Sequence, residues 1–252
     1  MASSTQPAAE LSHLPKADGS AAFSYSGYTV TAAVNGPIEA QRRDENPFEA
    51  ILDVNVRPAA GVGGTAERQL ESILMPALRQ LIPIRNFPRS LIQITLQITE
   101  TPENTYVNAK LTQARLNLPI IPALLHASVL GLLTAAIPLK GIATAVALAL
   151  PAQGGKDGII ADPDTRQAET AESLHVLGFT SDNELLLAES EGSFTQEEWN
   201  SVLDAGQRIC TRSASRDGDD AAMDYVGVDS PSVKDFIRAT MAAKVSEDLQ
   251  WK

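Results

Sequence analysis

Residues 17–39 read ADGSAAFSYSGYTVTAAVNGPIE and contain the clearest strand pair in the sequence. Two short runs rich in β-branched, aromatic and small residues flank Ser26-Gly27, a dipeptide that favours the tight turn of a β-hairpin. We expect Gly36-Pro37 to end the second strand, because proline has no backbone N–H to donate to a neighbouring strand. The stretch therefore predicts an antiparallel hairpin at the start of a folded domain.

A helix is predicted shortly after this hairpin. Residues 56–71, VRPAAGVGGTAERQLE, read as a strand end, a glycine-rich loop and a helix start. Thr65 is a suitable N-cap, and apolar residues recur at helical spacing as far as Leu81. A phosphate-binding loop is an alternative for the glycines, but the lysine and hydroxyl residue of a Walker motif are missing. A plain turn before a helix is the better interpretation.

The rest of the chain mixes strand patterns with helix patterns. Further strands are predicted at 51–56, 90–99, 141–150, 156–161, 173–180 and 184–188. Further helices are predicted at 123–136, from Thr195–Glu198 (a capping box) onward and from Ser230-Pro231 onward. This order predicts an α+β fold, with mixed sheets packed against helices, and not a regular βαβ array. We expect residues 1–16 to be a flexible N-terminal tail and residues 17–252 to form a single domain.

Composition limits the chemistry open to this chain. Of its 252 residues 44% are hydrophobic, and the net charge of −11 argues against a protein that coats nucleic acid with its whole surface. A local basic patch is still compatible with the sequence, because seven arginines crowd residues 1–90. The single cysteine, Cys210, lies in an apolar pattern typical of a buried residue. His13, His126 and His175 lack the spacing of metal ligands, and we expect neither a secretory signal nor a membrane-spanning segment.

Three short motifs lie next to these elements, one after another along the chain. They are Asp18-Gly19-Ser20 with Gly36-Pro37-Ile38-Glu39 around the hairpin, Arg57-Pro58 with residues 64–71, and Pro88-Arg89-Ser90 before a strand. Their order and spacing resemble the ribonuclease PH family over residues 17–250. The resemblance implies the ribonuclease PH fold, which is similar to the ribosomal S5 domain 2-like architecture. Compared with the family, residues 100–116 and 213–229 are expected to be insertions.

The resemblance also implies a chemistry, and this chain departs from the residues that active members use for it. Active members carry out phosphorolysis, with a glycine- and arginine-containing phosphate loop and two aspartates about six residues apart. Here the loop is residues 117–122 (NLPIIP), which has no glycine and no cation and contains two prolines without a donor N–H. Asp162 matches the first aspartate, but the residue six positions later is Ala168. We therefore expect no catalytic residues, with Asp162 as a degenerate remnant, and neither a metal nor a cofactor.

Two other functions stay open at this point. An active phosphate-dependent 3′–5′ exoribonuclease is the main alternative, using Asp162 together with Asp164 or Glu169. A stand-alone homo-oligomer that binds RNA with the same fold is the third possibility.

The resemblance favours a non-catalytic ring subunit of the eukaryotic RNA exosome, a complex of RNA processing and degradation that also matures ribosomal RNA. The implied partners are other ribonuclease PH-like subunits, S1/KH-type cap proteins, a separate catalytic exoribonuclease and single-stranded RNA in the ring channel. The implied location is the nucleus, nucleolus and cytoplasm. Because phosphate contact requires positive charge, we expect RNA to be faced by Arg57, Arg68, Arg42, Arg43 and Arg85.

Overall fold

A five-stranded sheet forms the first half of the protein in a computed structural model. The structure describes residues 6–102, 117–151, 158–211 and 232–250. The strands of this sheet are β1 (Ala8–Leu11), β2 (Gly19–Tyr25), β3 (Tyr28–Glu39), β4 (Ile51–Arg57) and β5 (Ser90–Glu100). Their spatial order is β1-β2-β3-β5-β4, and every pairing is antiparallel except the parallel pairing of β4 with β5.

The second half contains a four-stranded antiparallel sheet and most of the helices. Its strands are β6 (Ala143–Pro151), β7 (Ile160–Ala161), β8 (Ala171–Thr180) and β9 (Leu185–Gly192), in the order β7-β6-β8-β9. The helices are α1 (Thr65–Leu81), α2 (Ile121–Thr134), α3 (Thr165–Thr170), α4 (Gln196–Thr211) and α5 (Val233–Asp248). A 3₁₀ turn at Ile84–Asn86 follows α1. None of the described helices is long and apolar enough to cross a membrane.

The predicted hairpin is confirmed, but its second strand is longer than expected. Ser26 and Gly27 have φ values of 51° and 80°, the left-handed conformation that a tight hairpin turn requires. Gly36-Pro37 does not end β3, which continues to Glu39 after a bulge that interrupts the register with β5. The proline lies in this bulge, where no N–H is needed for the sheet.

The predicted N-terminal tail is wrong for residues 8–11. Ala8–Leu11 pairs antiparallel with β2, with Ala8 opposite Ser24 and Leu11 opposite Ala21. A run of four residues, AAEL, is too short for alternation to mark it as a strand in the sequence. The pairing adds an edge strand to the sheet, so the domain begins before residue 17.

Helix boundaries differ from the predictions at two N-termini. The N-cap of α1 is Gly64 and not Thr65, and the Glu67 carboxylate accepts the Gly64 N–H at 2.6 Å. The last helix begins at Val233 with Ser232 as its N-cap, two residues later than predicted. The proposed insertions at 100–116 and 213–229 and the strand start at 156 lie mostly outside the described residues.

Helix α2 is the centre of the core. Twelve of its residues, Ile121 to Leu132, are buried, because the helix packs between the two sheets. A second, smaller apolar cluster joins the four-stranded sheet to α4 and includes Leu177, Val202 and Cys210. The ends of α2 are therefore fixed relative to both sheets, which positions the loop in front of it.

Candidate functional site

The loop before α2 lies where the resemblance implies a phosphate site, and its residues are apolar and inward-facing. Leu118 and Ile120 are 7% and 4% exposed and belong to the hydrophobic core. The Ile121 N–H donates to the Leu118 carbonyl at 3.1 Å, and Pro119 and Pro122 have no N–H to offer. A phosphate cradle needs several free amides or a cation near a helix N-terminus. This loop provides no cation and few free amides.

Asp162 follows β7 and connects the two sheets. Its backbone has a left-handed φ of 49°, and its N–H donates to the Ala147 carbonyl at 2.8 Å. The Tyr25 hydroxyl, on the other sheet, donates to the Asp162 carboxylate at 2.5 Å. Burial raises the pKa of Asp162 to about 6, although the hydrogen bond from Tyr25 and an interaction of the carboxyl with the Ala147 backbone act to lower this pKa. The side chain therefore serves as a structural link in the present geometry.

Asp162 also lies toward the N-terminal end of α2. Gly19, at the start of β2, approaches the C-terminal end of α2 at Gly131. Further along β2, the Phe23 ring packs edge-on against His126, with ring centroids 5.2 Å apart. Because β2 runs along the helix in this direction, Tyr25 and its partner Asp162 lie beyond Phe23. The fold thus brings Asp162 toward the end of α2 that follows the apolar loop.

The other acidic candidates do not complete a pair with Asp162. Asp164 is the N-cap of α3, where its carboxylate accepts the Gln167 N–H and its own N–H donates to Gln167 Oε1 at 2.8 Å. Ala168, at the expected second position, is 2% exposed and packs in the core. Glu169 is exposed on the next position of α3. Among the described residues no cluster of His, Cys, Asp and Glu could hold a metal ion.

The raised pKa of Asp162 predicts a specific pH dependence of stability. The folded carboxyl holds its proton up to about pH 6, whereas the ordinary value is 3.8. The folded state therefore binds more protons than the unfolded state between these values, so stability falls as pH rises through this window. In the parent protein we expect the free energy of unfolding to fall by about 2 kcal/mol between about pH 4 and pH 7 because of Asp162. Asp162→Asn keeps an acceptor for Tyr25 but has no carboxyl to titrate, so this fall should be absent from the variant.

Urea unfolding of parent and variant at a series of pH values measures this difference. Asp164→Asn is the matched control, because Asp164 is exposed and asparagine is an equally good N-cap. The control should keep the pH dependence of the parent. If Asp162→Asn also keeps it, Asp162 is already ionised in the folded protein at low pH.

The five predicted RNA-binding arginines fall into two groups. Arg57 ends β4 and Arg68 lies in the first turns of α1, so both flank the glycine-rich loop. Arg68 also lines a 580 Å³ groove between β4 and α1 that includes Gly63 and Gly64. Both arginines are exposed, and neither forms an ion pair within the described residues. We call these two arginines the glycine-loop group.

The second group lies at the opposite end of β4. Arg42 and Arg43 are exposed in the loop after β3, and Arg85 is exposed on the 3₁₀ turn. The Ala50 N–H donates to the Ile84 carbonyl at 2.9 Å, which holds this turn beside the start of β4. The seven residues of β4 separate the two groups by about 20 Å. The five arginines predicted to face RNA therefore form two separate groups and not one continuous basic patch.

The cysteine and the buried histidines have structural roles, as the sequence indicated. Cys210 is 5% exposed, and burial raises the pKa of its thiol to about 12. His126 is fully buried and accepts the Ala145 N–H at 2.9 Å, and burial lowers its pKa to about 3. The ring of His175 lies within hydrogen-bond distance of the Ser173 and Ser190 hydroxyls, at 2.9 and 2.8 Å. These contacts leave neither a reactive thiol nor a metal-binding pair of histidines in the described part of the chain.

Known proteins resemble this chain in both sequence and fold. Residues 7–138 match the sequence model of the 3′ exoribonuclease family, domain 1, known as ribonuclease PH. The chain is also 33% identical over 208 residues to exosome complex component RRP46 of Saccharomyces cerevisiae, covering 80% of this chain and 89% of that protein. The chain belongs to the ribonuclease PH family.

Further similarities agree with the assignment of this chain to the ribonuclease PH family. Exosome complex component rrp46 of Schizosaccharomyces pombe is 32% identical over 133 residues, which is 53% of each chain. The crystal structure of rice (Oryza sativa) Rrp46 superimposes with a TM-score of 0.74 at 22% identity, covering 95% of this chain and 96% of the other. The predicted α+β ribonuclease PH fold is thereby confirmed.

The sequence did not identify Tyr25 as the hydrogen-bond partner of Asp162. Tyr25 ends an alternating strand in which its ring reads as an ordinary core residue, and 137 positions separate it from Asp162. The sequence indicates at most that a carboxylate removed from water needs a hydrogen-bond donor, and it does not say which residue donates. Only the packing of the two sheets around α2 shows which donor it is.

Proposed function

We propose that this ribonuclease PH protein is a non-catalytic ring subunit of the RNA exosome. The observation that carries the proposal is that Ala168, at the position where the resemblance implies a second carboxylate, is buried in the core. The apolar loop before α2 agrees with it, because a ring-wall subunit needs the fold but no phosphate cradle. The similarity to RRP46, named as an exosome complex component, supports the same assignment.

In this function the chain is a wall of the channel that guides single-stranded RNA to a separate 3′–5′ nuclease. Its neighbours would be other ribonuclease PH-like subunits, with S1/KH-type cap proteins above the ring. Exposed arginines would hold the RNA by its phosphates, a form of contact that does not depend on base sequence. The protein would then act in RNA processing and degradation, including ribosomal RNA maturation, in the nucleus, nucleolus and cytoplasm.

Purification of the tagged chain from its own cells under mild salt tests the assembly. Recovery in a stoichiometric complex of about nine or more proteins, several with the ribonuclease PH fold, is the expected result. Recovery alone, or as a homo-oligomer, would reject the ring-wall function.

An active phosphate-dependent exoribonuclease is the second candidate, and one observation favours it. Asp162 is retained toward the N-terminal end of α2, with a pKa raised to about 6 by burial. Release of nucleoside diphosphates from a 3′-labelled RNA, with and without inorganic phosphate, distinguishes the two functions. We expect no phosphate-dependent release of nucleoside diphosphates. A phosphate-dependent release that Asp162→Asn abolishes would establish the enzyme instead.

A further inference from the structure

A small aromatic pocket opens between the end of β9 and the start of α4. Its volume is 230 Å³, and it is lined by Ser190, Phe194, Thr195, Gln196 and Trp199. This volume is below the roughly 300–1,000 Å³ of sites that enclose a small-molecule ligand. The pocket therefore fits a single side chain better than a nucleotide or a cofactor.

The aromatic rings of the pocket are held in place and yet accessible. Phe194 packs edge-on against His175, with centroids 4.8 Å apart, and its centroid lies 5.8 Å from that of Trp199. His175 is itself fixed by hydrogen bonds to two serines, so the ring behind Phe194 is anchored. Phe194 is nevertheless 41% exposed, which is unusual for a ring with this much support.

No carboxylate of the described residues lines this pocket, but three glutamates lie next to its lining residues or to Ser193. Glu198 accepts hydrogen bonds from the Thr195 N–H at 2.6 Å and the Thr195 hydroxyl at 2.9 Å, and these bonds lower the pKa of Glu198. Glu172 accepts the hydroxyl of Ser193, the residue before Phe194, at 3.2 Å. Glu197 is exposed in the first turn of α4. Around them, residues 171–211 carry eight acidic side chains and one basic side chain, Arg208.

We propose that this pocket binds an arginine side chain presented by a basic segment of a partner protein. A guanidinium group stacks on the faces of exposed aromatic rings and is attracted by carboxylates placed around them. The charge of the surface selects for such a partner, because it repels the phosphates of RNA and favours a cationic peptide. This inference goes beyond the proposed function, since none of the arginines expected to face RNA lines this pocket.

A short peptide with two arginines between glycines is the probe. The chain has two tryptophans, so Trp251→Phe leaves Trp199 as the only indole N–H signal in a ¹H–¹⁵N spectrum of the full protein. We expect the peptide to shift this signal saturably. A peptide with citrulline, the neutral analogue of arginine, should bind at least 10-fold more weakly.

Variants in the same Trp251→Phe background test the pocket itself. Phe194→Ala should weaken binding at least 10-fold, and Phe194→Tyr should retain it because the ring face is kept. Leu185→Ala is the matched control, because Leu185 is 47% exposed at the start of β9, the strand that leads to Phe194, and lies outside the pocket. Paired Glu172→Gln and Glu197→Gln changes should weaken binding and reduce its dependence on salt.

Three results would overturn the proposal. One is equal binding of the arginine and citrulline peptides. Another is binding of the peptide by Phe194→Ala as tightly as by the parent and by Phe194→Tyr. The third is a larger shift of the Trp199 signal by oligoadenylate RNA than by the peptide, which would make the pocket a site for a base.

Discussion

Replacing Gly19 with alanine is expected to lower the free energy of unfolding by about 3 kcal/mol. A Cβ atom at this position would lie 2.3 Å from the Ala135 nitrogen and 2.5 Å from the Gly131 oxygen, both backbone atoms of the segment that ends α2. Neither atom can move aside without separating β2 from the helix at the centre of the core. The glycine of the Asp18-Gly19-Ser20 motif is therefore required by its close packing against the end of α2.

Urea unfolding of the purified chain measures this loss, with Gly63→Ala as the matched control. At Gly63 the nearest atoms to an added Cβ are 3.8 Å away, which is ordinary contact, so the same chemical change should have little effect. Equal destabilisation by both substitutions would mean that the cost comes from backbone conformation and not from the approach of β2 to α2.

Charge reversal of the glycine-loop group is expected to lower the affinity of the assembled ring for single-stranded RNA about 100-fold. Arg57 and Arg68 are exposed and unpaired within the described residues, so their charge is free to bind phosphate. For single-stranded nucleic acid, each phosphate that is no longer neutralised by the protein reduces the salt slope of log K by about 0.7. The Arg57→Glu, Arg68→Glu ring should therefore bind more weakly and show a shallower dependence on salt.

The control for this experiment reverses two other exposed arginines, Arg166 on α3 and Arg208 on α4. This pair changes the net charge by the same amount but leaves the glycine-rich loop intact, and we expect less than about a threefold loss. Arg42→Glu with Arg43→Glu tests whether the far end of β4 also contacts RNA. Equal losses for the glycine-loop and control pairs would show that net charge, and not a defined contact, governs binding.

The sequence predicted the fold wherever periodicity was strong and failed where pairing was non-local. Strict alternation marked β5, which the structure places at Ser90–Glu100, within one residue of the prediction. The six-residue α3 escaped prediction, because it is shorter than two helical turns and carries one buried residue, Ala168. The edge strand β1 escaped as well, since its partner β2 determines its conformation.

The candidate site shows the same division between local and non-local information. The loss of glycines and cations before α2 can be read directly from residues 117–122, because each residue's hydrogen-bonding capacity is a local property. The link between Tyr25 and Asp162 could not be read, because it depends on two sheets meeting across α2. The separation of the arginines into two groups was hidden for a related reason. Residues close in the sequence, such as Arg43 and Arg57, lie at opposite ends of one strand.

The burial of Ala168 makes any loss of catalysis in this chain hard to reverse. Restoring a phosphate loop would change the connection before α2, where Leu118 and Ile120 contribute to the hydrophobic core. Restoring a carboxylate at position 168 would place a charge among the apolar side chains of the core, where it lacks solvent and a partner. A return to enzyme activity would thus have to pass through an unstable protein. Under the proposed ring-wall function, selection against unfolding alone is enough to keep the subunit non-catalytic, without any selection against activity.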